Sequence, residues 1–287
     1  MFPPPNGRNP SGFLARRNDA TAFRTYRGPP EQPRMQTAQK ISALLGRVSA
    51  AAGRVLRQKK LPDTAFPIMI PPGVAGCNVC GYIAKTGHPR LCPGCGRNQR
   101  QRTFKQLFLA RLQPEVFGDG PLNDGLLLSP GEVERALLVP RLRRYIVSSL
   151  YQTYYGVGPF VRADVRDLAP FADGSFDYVQ ACNVLDYIPE IQQALRAVYR
   201  VLRPGGVFAF LIPEGNLLPD AEPISVSVHA SVTGNYWPDP KGVPLVRLGR
   251  QTLGALLRES GFQAEQIQLT DTLYCAKCTW WLCRRGE

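Results

Sequence analysis

The sequence predicts an α/β fold built on a mostly parallel sheet, preceded by a small cysteine module and a basic arm. Three observations carry that expectation. Phe176-Asp177-Tyr178-Val179-Gln180-Ala181-Cys182 is a short apolar run of the kind that parallel sheets cover on both faces. From Ile188 the apolar positions Ile191, Leu195, Val198 and Leu202 recur at helical spacing, until Arg203-Pro204-Gly205-Gly206 stops the helix ahead of a second apolar run, Val207–Ile212. Upstream, two Cys-x2-Cys pairs form one compact cluster.

The 287 residues suffice for about two domains. Residues 1–60 hold nine Arg and three Lys against Asp19 and Glu31, which is +10 of the chain's formal +13 and leaves the other 227 residues at +3. Such an arm favours RNA or another polyanion through counterion release; a solvated tail that only aids solubility fits the same residues. Residues 1–35, rich in Pro, Gly, Asn and Arg, read as disordered. From Gln36 to Arg57, Ile41, Leu44, Leu45, Val48, Val55 and Leu56 share one face of an amphipathic helix edged by Lys40, Arg47, Arg54 and Arg57. The Arg-rich start also resembles an organelle transit sequence, although Asp19, Glu31 and the prolines argue against one. No apolar run approaches the ~20 residues of a membrane span, so a soluble, cytoplasmic protein is expected.

Residues 61–115 form the second unit. Pro62, Pro67, Pro71 and Pro72 mark an extended linker. Cys77-x2-Cys80 and Cys92-x2-Cys95 follow, eleven residues apart, each pair ending in a glycine, Gly81 or Gly96. Two such knuckles can close a tetrahedral tetrathiolate site, which suits zinc because zinc imposes no redox or d-electron demand. An iron–sulfur cluster or a redox pair uses the same residue types. His88 lies between the pairs and can replace a ligand, but four cysteines make that unnecessary. A helix is expected from Gln99 to Leu112. Arg97, Arg100, Arg102, Lys105 and Arg111, with no acidic residue among them, can hold a phosphate-bearing or acidic substrate. Equally, they can form the solvated face of a helix that buries Phe104, Leu107, Phe108 and Leu112.

Residues 120–287 carry the sheet. Gly125–Leu128, Tyr145–Ser149 and Phe160–Ala163 read as its first three strands. Pro170-Phe171, Asp173-Gly174-Ser175-Phe176-Asp177, Asn183-Val184-Leu185 and Arg200-Val201-Leu202-Arg203-Pro204-Gly205-Gly206 follow in order. Together these words closely resemble the class I S-adenosylmethionine-dependent methyltransferases, type 11-like. Cys92-Pro93-Gly94-Cys95-Gly96 and the basic run after it resemble a subgroup with an N-terminal CxxC…CPxCG zinc knuckle. The resemblance implies a Rossmann-like domain with a mostly parallel seven-stranded sheet, and S-adenosylmethionine held at the carboxyl ends of its strands.

What the resemblance implies residue by residue departs in two places from the usual pattern. The first loop, Ser129-Pro130-Gly131-Glu132, has one glycine where relatives have several. Gly131 permits close approach of the cofactor, and Glu132 stands for the acidic residue of that loop. Ser149 occupies the place of the carboxylate that accepts both ribose hydroxyls. Asp164 is the expected acceptor for the adenine amino group, with Val165 beside the ring and Asp167 as second choice; either aspartate can instead cap a turn. Asn183 faces the methionine end. Tyr187 sits where relatives often have His, and can line the acceptor site or only pack.

Pro213 through Pro244 reads as a long loop over the acceptor pocket, with His229, Tyr236 and Trp237 as substrate contacts and His229 as a titratable base. Leu248–Gly261 reads as a helix, and 263–270 and 278–283 as closing strands. Cys275, Cys278 and Cys283 on that hairpin read as buried or spare thiols, a second metal site being the other reading. The expected function is methyl transfer from S-adenosylmethionine, to an acceptor that the sequence does not name and that the arm connects with RNA. The alternative is a catalytically silent methyltransferase-like fold serving as a zinc-containing RNA- or protein-binding assembly factor.

Overall fold

The computed structural model describes residues 67–85, 87, 89–118, 123–150, 158–218, 224–229 and 243–287. The basic arm, the amphipathic helix expected over 36–57, His88, Tyr236 and Trp237 lie outside these residues.

Helix α1 (Gln99–Leu107) starts at a capping box. The Asn98 side chain accepts from the Gln101 amide at 3.1 Å, and the Gln101 side chain accepts from the Asn98 amide at 3.2 Å. The helix does not stop near Leu112 as expected. It widens into π-helical turns over Phe108–Phe117, with Pro114 inside, where a residue lacking an N–H interrupts regular i→i−4 bonding.

The sheet strands are β1 (Asn123–Leu128), β2 (Leu142–Ser149), β3 (Phe160–Arg162), β4 (Phe176–Cys182) and β5 (Leu202–Leu211), joined by α2 (Glu132–Leu138) and α3 (Ile191–Val201). A hairpin closes it, β9 (Phe262–Thr270) and β10 (Lys277–Arg285). The spatial order is β3-β2-β1-β4-β5-β10-β9. β10 alone runs antiparallel to its neighbours, so the expected mostly parallel seven-stranded sheet is present. Helix α3 ends at Val201 as its glycine turn predicts, but β5 already begins at Leu202. Phe176 pairs with Leu202 and Tyr178 with Val207, so Arg203–Gly206 form an excursion inside the strand.

The long loop expected from Pro213 to Pro244 is corrected. It contains β6 (Leu217–Leu218) and β7 (Ser225–His229), which with β8 (Val243–Gly249) make a three-stranded sheet ordered β6-β8-β7. The alternation Ser225-Val226-Ser227-Val228 is the strand pattern that the surrounding prolines obscure. Helix α4 consequently covers Arg250–Glu259 rather than starting at Leu248.

Alternation along the strands makes two cores. Leu126, Val179, Ala181, Phe208, Phe210 and Trp281 face α3 and α4. Leu127, Tyr178, Ala209, Leu211 and Trp280 face α1, α2 and the cysteine knuckles. The Phe104 and Trp280 ring centroids are 5.4 Å apart, and the Trp280 indole donates to Thr103 Oγ1 at 3.1 Å. The knuckles therefore share a core with the sheet. Among the described residues no helix is long and apolar enough to cross a membrane.

Candidate functional site

Parallel pairing brings the strand ends that the sequence pointed to onto one edge. Leu128 is in register with Ser148 on one side and Ala181 on the other, Ser149 with Arg162, and Cys182 with Leu211. Two residues just beyond that edge adopt left-handed backbone conformations, Ser129 at φ 49° and Asn183 at φ 54°. Outside glycine such conformations cost on the order of 1 kcal/mol or more, and they gather where a chain must bend sharply around a ligand. Ser129 is further fixed by its amide, which donates to Ser148 O at 2.9 Å. Its hydroxyl lies 3.4 Å from that of Ser149. The first and second loops thus meet through two serines.

Pro130 is buried, and Gly131 caps α2 from an extended conformation. A Cβ on Gly131 would lie 2.7 Å from the Arg100 guanidinium and would collide with the Glu134 carboxylate. The close approach expected of the cofactor is therefore made by this internal ion pair. Arg100 reaches Glu134 at 3.2 Å, and the Glu134 side chain is fully buried. Glu132, expected to act in the first loop, pairs with Arg97.

For Arg102 the expectation drawn from the basic run after Cys95 is corrected by its contacts. Arg102 is fully buried and bidentate on the equally buried Asp271, at 2.7 and 2.6 Å, and also donates to Arg90 O at 3.1 Å. It cannot touch a polyanion. Arg97, Arg100 and Arg111 are each held by carboxylates, Arg111 by both Glu115 and Glu265. The partners of Arg97 and Arg102 lie 35 and 169 residues away in sequence, beyond any local pattern.

Asp164 follows β3 half-buried. Its carboxylate accepts from the Arg166 amide at 2.9 Å and from the Arg166 guanidinium at 2.9 and 2.6 Å. Burial raises its pKa, but the Arg166 bonds outweigh that and hold it below the usual carboxylate range. Asp164 is thus a turn cap held anionic just past the end of β3. Val165 beside it is buried, and Asp167 is exposed and accepts from the Ala169 amide at 3.0 Å. Tyr187 is half-buried in a single turn, Leu185–Tyr187. His229 ends β7, where its backbone is opposite Val243.

Sequence reasoning missed Asp186. It is fully buried one residue before Tyr187, with one oxygen 3.4 Å from the Asn216 amide nitrogen. Its other oxygen, like the side-chain oxygen of Asn183, is buried without a hydrogen-bond partner. Burial pushes its pKa up to about 7, the bond from Asn216 opposing. The available signal was a carboxylate directly after the apolar pair Val184-Leu185 at a strand end.

The raised value fixes the sign of a prediction. A carboxyl moved from 3.8 to about 7 holds its proton more tightly when folded. Its contribution is fully present below pH ~4 and is lost as pH rises through 7, a cost of roughly 4 kcal/mol. Asp186→Asn is therefore expected to stabilise the protein at pH 8 by up to that amount and to be neutral at pH 4, measured by urea unfolding. Equal destabilisation at both pH values would mean that the carboxylate is fully paired.

Four thiol sulfurs make the second centre. The Sγ atoms of Cys77, Cys80, Cys92 and Cys95 all lie within 4.8 Å of one another, with 3.7 Å between Cys77 and Cys95 and 3.5 Å between Cys80 and Cys92. A tetrahedron with ~2.3 Å metal–sulfur bonds has edges of about 3.8 Å, so the donor set fits a four-coordinate ion. Backbone amides close each knuckle, Gly81 N on Cys77 O at 2.8 Å and Gly96 N on Cys92 O at 2.7 Å. Gly81 and Gly96 take φ of 76° and 72°, the left-handed values those turns need. Cys275 is exposed, Cys278 and Cys283 are buried, and among the described residues these three join no such group.

Residues 144–210 match a family model described as a methyltransferase domain. A sterol methyltransferase-like protein 3 of Botryococcus braunii is 32% identical over 117 residues, which is 40% of this chain and 27% of that protein. A ubiquinone/menaquinone biosynthesis C-methyltransferase of Rickettsia prowazekii is 34% identical over 89 residues, 31% of this chain and 33% of that one. The chain thus spans about a third or less of the length of these curated relatives. A crystal structure of a Burkholderia thailandensis 1,6-didemethyltoxoflavin-N1-methyltransferase with bound S-adenosylhomocysteine covers 78% of this chain and all of its own, at 15% identity and a TM-score of 0.44. Over residues 144–210, from within β2 to within β5, the chain is therefore matched to a methyltransferase domain, and this stretch supplies the carboxyl ends of β2, β3 and β4.

Proposed function

We propose that this chain transfers a methyl group from S-adenosylmethionine, bound across the carboxyl ends of β1, β2, β3 and β4. The observation that carries the reading is the pair of left-handed residues, Ser129 and Asn183, at the ends of adjacent strands β1 and β4, Asn183 within the matched segment. The sulfonium supplies an already activated methyl, so the residues present need only align acceptor and donor. Asp164 offers its anionic carboxylate to the adenine amino group with Val165 beside the ring. Ser149 and Ser129 offer hydroxyls to the ribose, and Asn183 offers its side-chain oxygen to the methionine end. On the acceptor side, Asp186 is poised to take a proton near neutral pH and Tyr187 to line the pocket. The relatives' names, a sterol methyltransferase-like protein and a ubiquinone/menaquinone biosynthesis C-methyltransferase, support a carbon atom as acceptor.

Asp164→Ala is expected to weaken S-adenosylhomocysteine binding about tenfold by calorimetry, the worth of one charged hydrogen bond, while Asp167→Ala leaves it unchanged. The reverse pattern would move the adenine assignment to Asp167.

The same reading gives Cys77, Cys80, Cys92 and Cys95 a structural zinc ion. The spacing of the sulfurs supports it, as does the shared core that such an ion would hold in place. A polyanion such as RNA is proposed as partner of residues 1–60 on their charge.

A further inference from the structure

We propose that the cleft at the amino ends of the strands, opposite the cofactor edge, is a second ligand site that takes a phosphate group through Arg143, Arg144 and Arg203. This goes beyond the methyl-transfer reading and does not depend on it. The cleft is open to solvent, has a volume of about 770 Å³, and is lined by Tyr145, Phe171 and Phe176 among others, a volume within the usual ~300–1,000 Å³ of small-molecule sites.

The fold departs from regular pairing twice to build it. Asn123 pairs with Leu142 and Asp124 with Arg144, so Arg143 is an extra residue in β2. Consecutive residues of a strand normally point to opposite faces. The bulge lets both arginines turn onto one carboxylate. Arg143 reaches Asp124 at 3.1 and 2.8 Å, and Arg144 at 3.1 and 2.5 Å. The second irregularity, between Phe176 and Tyr178, carries Asp177 and the Arg203 excursion into the same place. Arg203 then bridges Asp177 at 2.6 Å and Asp124 at 3.2 Å.

One bidentate guanidinium satisfies one carboxylate. Here three guanidinium groups meet two carboxylates, leaving one positive charge in excess. The acid lies beneath, with Asp124 3% exposed, while the Arg143 and Arg144 side chains are 57% and 72% exposed. Asp124 holds each fork by Nε and Nη2, which leaves Nη1 of each for a ligand oxygen. A pre-set pair of arginine forks at the mouth of a partly apolar cleft suits a phosphate group on a small molecule or in a phosphodiester.

The test uses the full chain and two probes, pyrophosphate and a single-stranded oligouridylate, titrated against wild type, the double variant R143Q/R144Q and the single variant R144Q. Arg203 still pairs with Asp124 in both variants, and R144Q keeps Arg143 there as well. We expect R143Q/R144Q to weaken pyrophosphate binding roughly tenfold or more and R144Q to weaken it by less. The slope of log affinity for the oligonucleotide against log salt should fall by about 2 in the double variant, with S-adenosylhomocysteine binding unchanged. Loss confined to pyrophosphate identifies a small phosphorylated ligand, and loss confined to the salt slope identifies a phosphodiester chain. Wild type that binds neither probe, or variants that bind both as wild type does, would overturn the proposal.

Discussion

Chelation of zinc from the reduced protein is expected to lower the thermal midpoint by roughly 10 °C or more, with a matching loss of helical signal. Apparent binding energies of structural zinc sites are about 10–16 kcal/mol at neutral pH, and a few kcal/mol shift a domain of this size by that much. The loss would not stay in the knuckles. Cys77 and Cys92 are packed in the core that also contains Phe104, Leu107 and Trp280, and Cys92 N donates to Arg97 O at 3.0 Å. Beyond Arg97 the chain runs directly into the pairs Arg97–Glu132 and Arg100–Glu134 that brace the loop after β1. Metal analysis should find one zinc per chain, and Cys92→Ser should reproduce the chelation result. A chain that carries no metal, or that melts at the same temperature after chelation, would refute the assignment.

The next largest effect is expected from Asp271→Ala, a loss of about 3–5 kcal/mol in urea unfolding. Removing one member of a buried ion pair strands the other charge away from water. Both side chains here are fully buried. Asp271 also accepts from the Tyr274 amide at 2.9 Å, so the same substitution loosens the β9–β10 turn. Replacing both partners, as R102M/D271L, should recover most of the loss, because the penalty belongs to the unpaired charge rather than to the missing attraction. A single variant that costs less than about 1 kcal/mol would mean that water reaches Arg102.

How much of this was legible depends on whether the determining contact is local. Strand β4, helix α3 and the glycine turn after it were readable because burial on both faces leaves a continuous apolar run, and a helix end needs particular residues. The clustering of the four cysteines was readable from spacing alone, because the turn that brings Cys77 to Cys80 is a local matter. The mostly parallel seven-stranded sheet followed from the resemblance. Arg102 was misread as surface because its partner is 169 residues away, and a sequence shows a charge without showing what neutralises it. The strands within 213–244 were hidden because β6 and β7 have two and five residues and prolines surround them. Asp186 and the amino-edge arginines depend on burial and on a bulge, neither of which has a sequence period.

The claim on which the rest stands is that the strand-end cleft holds the methyl donor. The direct measurement is calorimetric titration of the 287-residue, zinc-loaded chain with S-adenosylmethionine and S-adenosylhomocysteine. Saturable one-to-one heat with a dissociation constant on the order of 100 µM or tighter is the predicted result. Folded protein that gives no heat with either ligand at several times that concentration would contradict it, and would leave a methyltransferase-like scaffold that does no methyl transfer.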